Sequence, residues 1–273
     1  MKVGVNRWTL PGEWDLEKCF RTCHQVGFDS IEINFDESGY LNPKMSDAEA
    51  ADIRKLADKV GIEISSVSSA VYWGSPFTHN DPGVRQKAID LAEHQIRLTR
   101  AMGLDAVLIV PGLVNPETQY DTVYQRASEA MKKIAPVAER HAVTIGVENV
   151  WNRFLLSPLE MARFIDEIGS PKVMAYFDVG NVLAFGYPQH WIRILGSRIV
   201  RVHVKDFRTN VGTGAGFVNL IQGDVAWGAV SQALREIGYN GYITAEVEGY
   251  RGHHELGLRH IADCLKALFP SRP

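Results

Sequence analysis

The feature that most constrains this 273-residue chain is the regular alternation of short apolar runs with longer amphipathic ones. Strand-like runs fall at 2–6, 30–34, 63–68, 106–110, 143–148, 173–178, 199–204 and 242–247. Helical periodicity occupies 16–26, 47–60, 83–102, 122–142, 158–168, 189–195, 227–237 and 255–268. Gly27, Gly61, Gly103, Gly169 and Gly238 each follow a helical stretch, where a left-handed C-cap favours glycine. Eight strand–helix units at roughly 34 residues each predict an α/β chain folded as a single (β/α)8 barrel over residues 1–273. A doubly wound sheet needs fewer units, and no Gly-x-Gly-x-x-Gly follows the first strand. No linker, low-complexity stretch or array-type repeat interrupts the alternation.

Charge and composition then remove several classes of function. Twenty-nine Lys and Arg against 32 Asp and Glu leave a net charge of −3, with no basic cluster to hold a nucleic acid. The longest apolar runs, such as that at 106–110, fall far short of the ~20 residues that span a bilayer. Cys19, Cys23 and Cys264 are an odd set without metal-finger spacing, which fits a reducing compartment. The opening Met1-Lys2-Val3-Gly4-Val5-Asn6 reads as a strand and not as an export leader. A soluble cytoplasmic protein is expected.

The pleat predicts which side chains share the barrel interior. Helices cover the outside of such a barrel, so Val202 and Val204 face outward and Arg201, His203 and Lys205 face inward. The same parity sends Glu148, Tyr176, Asp178 and Glu246 inward, and Glu32 and Asn6 with them. These groups are expected at the C-terminal strand ends, where barrels of this kind carry their active sites. Three carboxylates and a histidine converging there would repel one another and lose hydration, at several kcal/mol in order of magnitude. A divalent cation relieves that, because carboxylates plus one imidazole suit Mn2+, Mg2+, Co2+ or Zn2+.

Each residue also has a plainer reading. A lone inward His203 would ordinarily be a hydrogen-bonded core histidine, and Arg201 or Lys205 could simply pair with Asp178 or Glu148. Glu248 shares the parity of Glu246 but lies nearer the loop, and Glu32 reads either as a substrate contact or as half of an internal salt bridge. His253 and His254 are adjacent, so they point apart and mark a solvated helix start. Cys19 and Cys23 sit four apart on the first helix, as core residues do. Gly212-Thr213-Gly214-Ala215-Gly216 reads as a mobile loop after strand seven, where barrels often seat phosphate. No Gly-x-Ser-x-Gly or other nucleophile–base pair is present.

Ile145-Gly146-Val147-Glu148-Asn149, Phe177-Asp178-Val179-Gly180-Asn181, Val202-His203-Val204-Lys205-Asp206 and Ala245-Glu246 together resemble the xylose-isomerase-like superfamily of sugar isomerases and epimerases. The likeness is most specific between Val143 and Glu248. Within the superfamily it is similar to the L-xylulose/L-ribulose-5-phosphate 3-epimerase (hexulose-6-phosphate isomerase-like) branch, including Gly223-Asp224-Val225-Ala226-Trp227. The resemblance implies one divalent metal, Mn2+ foremost, held by Glu148, Asp178, His203 and Glu246, with both glutamates also exchanging the substrate proton. Two departures bear on the substrate. Asn181 stands where epimerases of free ketoses carry a histidine, and Phe154 lies where they carry a glutamate. The arginine-rich segment that the phosphate-using branch has after strand three is here Ala70-Val71-Tyr72-Trp73-Gly74. A phosphate would rest on Lys205, Arg208 and loop amides.

The chemistry implied is inversion at C3 of a ketose or ketose phosphate through a cis-enediolate. The metal would hold the carbonyl and the neighbouring hydroxyl oxygen, with Glu148 and Glu246 on opposite faces. Lys205 and Asn181 would contact hydroxyls or the oxyanion, Glu32 and Arg208 would add substrate contacts, and Trp8, Tyr72 and Trp73 would wall the pocket. Aldose–ketose isomerisation shares the metal and the enediolate. A lyase or dehydratase acting on a keto-sugar, polyol or oxidised glycoside shares the first proton removal. A DNA-cleaving multi-zinc relative would need more histidines at the strand tips than His203 alone, and a non-catalytic sugar-binding barrel would bind no metal. The resemblance also implies association through the barrel rims, as a homodimer or homotetramer.

Overall fold

The computed structural model describes residues 1–270, and its helices begin and end where local chemistry dictates. Asp15 accepts a hydrogen bond from the Lys18 amide to start Leu16–Val26, and Ser46 with Glu49 forms a reciprocal capping box for Asp47–Val60. Gly27, Gly61 and Gly169 close their helices in the left-handed conformation that was expected of them. The helix Tyr120–His141 differs: it is closed by Ala142 at φ 55°, a left-handed cap without glycine.

Eight strands, β1 (Lys2–Asn6), β2 (Ser30–Phe35), β3 (Glu63–Ser69), β4 (Ala106–Ile109), β5 (Thr144–Glu148), β6 (Val173–Asp178), β7 (Ile199–Val204) and, after a short hairpin of β8 (Asp206–Phe207) and β9 (Phe217–Val218), β10 (Tyr242–Ala245), form the barrel. They close into a parallel sheet in the order β1-β10-β7-β6-β5-β4-β3-β2. Val5, Ile31, Val147, Phe177, Val202 and Ile243 are fully buried, as parity requires of side chains packed beneath the helices. The predicted (β/α)8 architecture is the observed one. None of its described helices is long and apolar enough to cross a membrane.

Two local departures shape the C-terminal rim. β10 ends at Ala245, so Glu246 stands just beyond the strand, yet its amide still donates to the Val204 carbonyl at 3.0 Å. The glycine-rich segment, expected as a mobile loop after strand seven, is the turn of a hairpin, with β8 antiparallel to β9. Asp206 anchors that hairpin from within. Its carboxylate accepts from the amides of Phe207 and Val225 and from Trp227 Nε1. Gly223 lies so close that a Cβ there would stand 2.3 Å from Asp206 Oδ1, which accounts for a glycine in the Gly-Asp-Val-Ala-Trp segment.

Candidate active site

The strand tips of β5, β6 and β7 and the residue after β10 bring Glu148, Asp178, His203 and Glu246 together, each with one ligand-type atom within 4.8 Å of the others. Register explains the convergence: Glu148 is level with Tyr176, and Asp178 with His203, on neighbouring strands. Local chemistry fixes Asp178. Its amide donates to Asn149 Oδ1 at 2.9 Å, its Oδ1 caps the Asn181 amide at 2.7 Å, and Gly180 lets that turn press against β7. A Cβ on Gly180 would stand 2.6 Å from the Lys205 carbonyl oxygen.

Lys205 Nζ lies 2.5 Å from Glu246 Oε2 and 2.8 Å from Asp178 Oδ2. The second contact is an ion pair outside hydrogen-bond geometry, so Asp178 Oδ2 remains a buried oxygen without a hydrogen-bond donor among the described residues. His203 is fully buried, with Nε2 2.6 Å from Glu32 Oε2 and Nδ1 3.3 Å from Glu148 Oε1. The Nδ1 edge therefore faces the carboxylate cluster, and the Nε2 edge is fixed from behind. Three carboxylates, one outward imidazole edge and an under-used buried oxygen fit a divalent cation.

The electrostatics express the same crowding. Burial, assisted by the charge of Glu246, pushes the Glu148 carboxyl up to about 7, although the His203 contact opposes it. Burial also raises Asp178, against the pull of Lys205. For Glu246 burial acts upward too, but Lys205 and then His203 outweigh it and hold the carboxyl below its ordinary range. Burial acts to lower His203, yet Glu32 and Glu246 raise it well above an ordinary imidazole. Burial likewise opposes the charge on Lys205, but Asp178, Glu246 and Glu148 raise it.

A cavity of about 180 Å³ opens onto this cluster, with Glu148, Lys205 and Glu246 on its floor and Trp8, Trp73, Trp151 and Phe217 around it. Asn181 lines it as well, with its side-chain amide donating to the Asn149 carbonyl at 3.0 Å. A second space of about 670 Å³ continues outward past Lys205 and Glu246, under the β8–β9 hairpin. A larger groove, about 850 Å³, lies on the outer wall between helices Tyr120–His141 and Pro158–Ile168 and holds none of the cluster residues.

Several expectations change. Tyr72 does not wall the cavity: it is 1% exposed, stacked on Phe77, with its hydroxyl donating to Gln95 Oε1 at 2.6 Å. A helical turn, Val71–Gly74, turns Trp73 toward the site and Tyr72 into the core. Arg208 is exposed beside the hairpin, its Nε donating to the Gln222 carbonyl, and it borders neither space. Of the two readings of Glu32, the structure shows the internal pair, with His203, and Glu32 lines neither space. It is fully enclosed, taking hydrogen bonds from Tyr176, Ser66 and Asn6 while facing His203. Burial opposes its charge, but His203 first, then Tyr176 and Ser66, hold its carboxyl below the usual range. Arg201 points inward as predicted but to the opposite end of the barrel, against Asp105. Glu248 stays outside the cluster on an exposed pair with Arg251.

Trp151 and Phe217 were not anticipated. Trp151 follows the tip of β5, a place where barrels put functional side chains, so its position could have flagged it. Phe217 comes to the site only because the glycine-rich segment folds back as a hairpin, for which the sequence carries no signal.

Residues 20–268 match the family described as Xylose isomerase-like TIM barrel. The putative L-ribulose-5-phosphate 3-epimerase SgbU of Escherichia coli (strain K12) is 25% identical over 252 residues, covering 90% of this chain and 88% of its own. Among solved structures, D-psicose 3-epimerase with D-tagatose from Clostridium cellulolyticum H10 superposes with a TM-score of 0.80 at 18% identity, covering 98% of each chain. An L-ribulose 3-epimerase structure also gives 0.80, at 19% identity, covering 98% of this chain and 94% of the other.

Proposed function

The chain belongs to the xylose isomerase-like TIM-barrel family, and we propose that it is a divalent-metal-dependent 3-epimerase of ketoses, with Mn2+ the foremost candidate metal. One observation carries the reading: two glutamates from strands separated by β6 and β7 meet over a single Asp–His pair at the mouth of the barrel. The 3-epimerase names borne by the SgbU relative in sequence and by these two neighbours in structure support it.

Glu148, Asp178, His203 and Glu246 would hold the metal, which when bound offsets their negative charge and polarises a ketose carbonyl. Glu148 and Glu246 then serve as the proton-transferring pair. One removes the proton at C3, and the other delivers a proton to the opposite face of the same carbon, so the centre inverts with no net change in atoms. Lys205 positions Glu246 through their 2.5 Å contact, and the ammonium hydrogen that neither Glu246 nor Asp178 takes is left for a substrate hydroxyl. Asn181 offers an amide to hydroxyls at the junction of the two spaces. Trp8, Trp73 and Trp151 present flat apolar faces to sugar C–H groups and keep water from the reacting carbon.

Proton NMR in D2O tests the reading. Metal-loaded protein is incubated with ketoses and ketose phosphates, and the products are read after chelation of the metal. Deuterium at C3 together with a new epimer is the expected result. Deuterium at C1 or C2 would make the protein an aldose–ketose isomerase, and loss of water or of a β-substituent would make it a lyase.

A further inference from the structure

The space beyond the carboxylate cluster has a chemistry of its own. It shares Asn181, Lys205, Phe217 and Glu246 with the inner cavity, so the two are lobes of one site with the reacting groups at their junction. The inner lobe, about 180 Å³, is below the several hundred Å³ typical of small-molecule pockets, and the outer lobe is more than three times larger. A bare ketose held by the cluster would leave most of that outer volume to water.

The outer lobe is also poorly made for an anion. Of its two cations, Lys205 is held between Asp178 and Glu246, and Arg251 is 91% exposed, with its charge in water beside Glu248. A phosphate entering there would gain little from the hydrated Arg251, would share Lys205 with two acids, and would face Glu246 and Glu248. The remaining polar groups are neutral amides. Gln222 lines the lobe, and Asn219 beside it has an Oδ1 with no hydrogen-bond partner among the described residues. Its Nδ2 makes only a long 3.4 Å contact to the Glu248 carbonyl. Amides that both donate and accept suit hydroxyl groups, and Phe217 offers a ring at the neck between the lobes.

We propose that the outer lobe is a subsite for an uncharged, hydroxylated extension of the substrate, so that the preferred substrate is a neutral ketose bearing a second sugar-like group, not a ketose phosphate. The proposal rests on the ketose-epimerase reading for the chemistry at the junction, but the subsite itself is testable by binding alone.

Three probes of one configuration separate the choices: fructose, fructose 6-phosphate and isomaltulose, which is fructose carrying a glucosyl group on its 6-hydroxyl. Their dissociation constants are read from tryptophan fluorescence, and deuterium wash-in at C3 is followed in parallel. The glucosylated ketose is expected to bind at least tenfold more tightly than either of the others. Gly214→Trp supplies a blocked variant, because Gly214 lines the outer lobe and a Cβ there meets nothing within 4 Å, so a large side chain can fill the lobe. It should erase the advantage of the glucosylated ketose. Tighter binding of the phosphate, equal binding of all three, binding of none, or an advantage that survives Gly214→Trp would each overturn the subsite. Tighter binding of isomaltulose without exchange at C3 would keep the subsite and remove the epimerase reading. Exchange at C3 with no preference among the three would do the reverse.

Discussion

The two ends of this barrel bury charge in opposite ways. At the N-terminal end, Arg201 is matched by Asp105 at 2.5 Å, by the Ser65 carbonyl at 3.1 Å and by the face of Tyr242. Nearby, Glu63 is held by Lys2 at 2.6 Å and by the Tyr242 hydroxyl at 2.6 Å. Each charge there has a partner of opposite sign, and Asp105 and Glu63 keep much of their contact with water. At the C-terminal end, Glu32, Glu148, Asp178 and Glu246 face only His203 and Lys205, so four acids share two cations in a nearly dry space. A fold gains nothing in stability from such an imbalance. The lower end is matched in charge, and the shortfall of positive charge at the upper end is what the proposed metal would supply.

If that contrast is right, changes at the upper end should remove function and leave the fold. Glu246→Gln keeps the shape of the side chain but cannot exchange a proton, so C3 deuterium wash-in should fall by about 10²–10⁴-fold, the range for loss of a general acid or base. Its melting temperature should fall only modestly, because Lys205 loses one carboxylate partner and keeps Asp178. Retained exchange in this variant would sink the two-glutamate scheme. The next effect is thermal. Metal at a hundred times its dissociation constant should stabilise the parent by about 2.7 kcal/mol, and Asp178→Asn should abolish that gain while its neutral side chain still caps the Asn181 amide. An undiminished metal-dependent shift in differential scanning fluorimetry would place the ion elsewhere.

How much of this contrast the sequence carried depended on whether the determinants were local. Strand parity is local, and it brought Glu148, Asp178, His203 and Glu246 to one end correctly. Parity does not say how far along the axis a long side chain leans, so Arg201 was expected among the acids and lies at the other end. Nor does it tell whether an inward acid reaches a cavity or a neighbour. Glu32 sits three strands from β7 around the barrel, and only closure of the whole sheet brings it within 2.6 Å of His203. Tyr72 and Trp73 were indistinguishable as neighbours on a loop until a helical turn gave one to the core and the other to the rim.

The lower end should give the opposite phenotype. Arg201→Met removes a guanidinium that is 8% exposed and leaves the Ser65 carbonyl without its donor, while Asp105, 72% exposed, remains hydrated. Breaking a fully buried pair costs about 3–5 kcal/mol, and the exposure of Asp105 brings the expectation down to about 1–3 kcal/mol. Chemical denaturation would measure it, and the C3 exchange rate per folded molecule should change less than twofold. A large loss of exchange with full stability would mean that Arg201 serves the site after all.

The smallest effect belongs to Glu63, and its pH dependence gives it a signature. Burial acts to raise this carboxyl, but Lys2 and the Tyr242 hydroxyl outweigh it and hold it below the ordinary range. A folded-state value below the unfolded one means stability that is present above the unfolded pKa, near 4.3, and lost as pH falls through the folded value. With Lys2 and Glu63 about half exposed, solvent screening limits the pair to roughly 0.5 kcal/mol. Glu63→Gln should therefore be slightly less stable than the parent at pH 7. The gap should close as the pH is lowered below 4 and shrink in high salt. A gap that persists unchanged in acid would show that the contact works through packing of Tyr242 and not through charge, and the lower end would then be held by shape as much as by pairing.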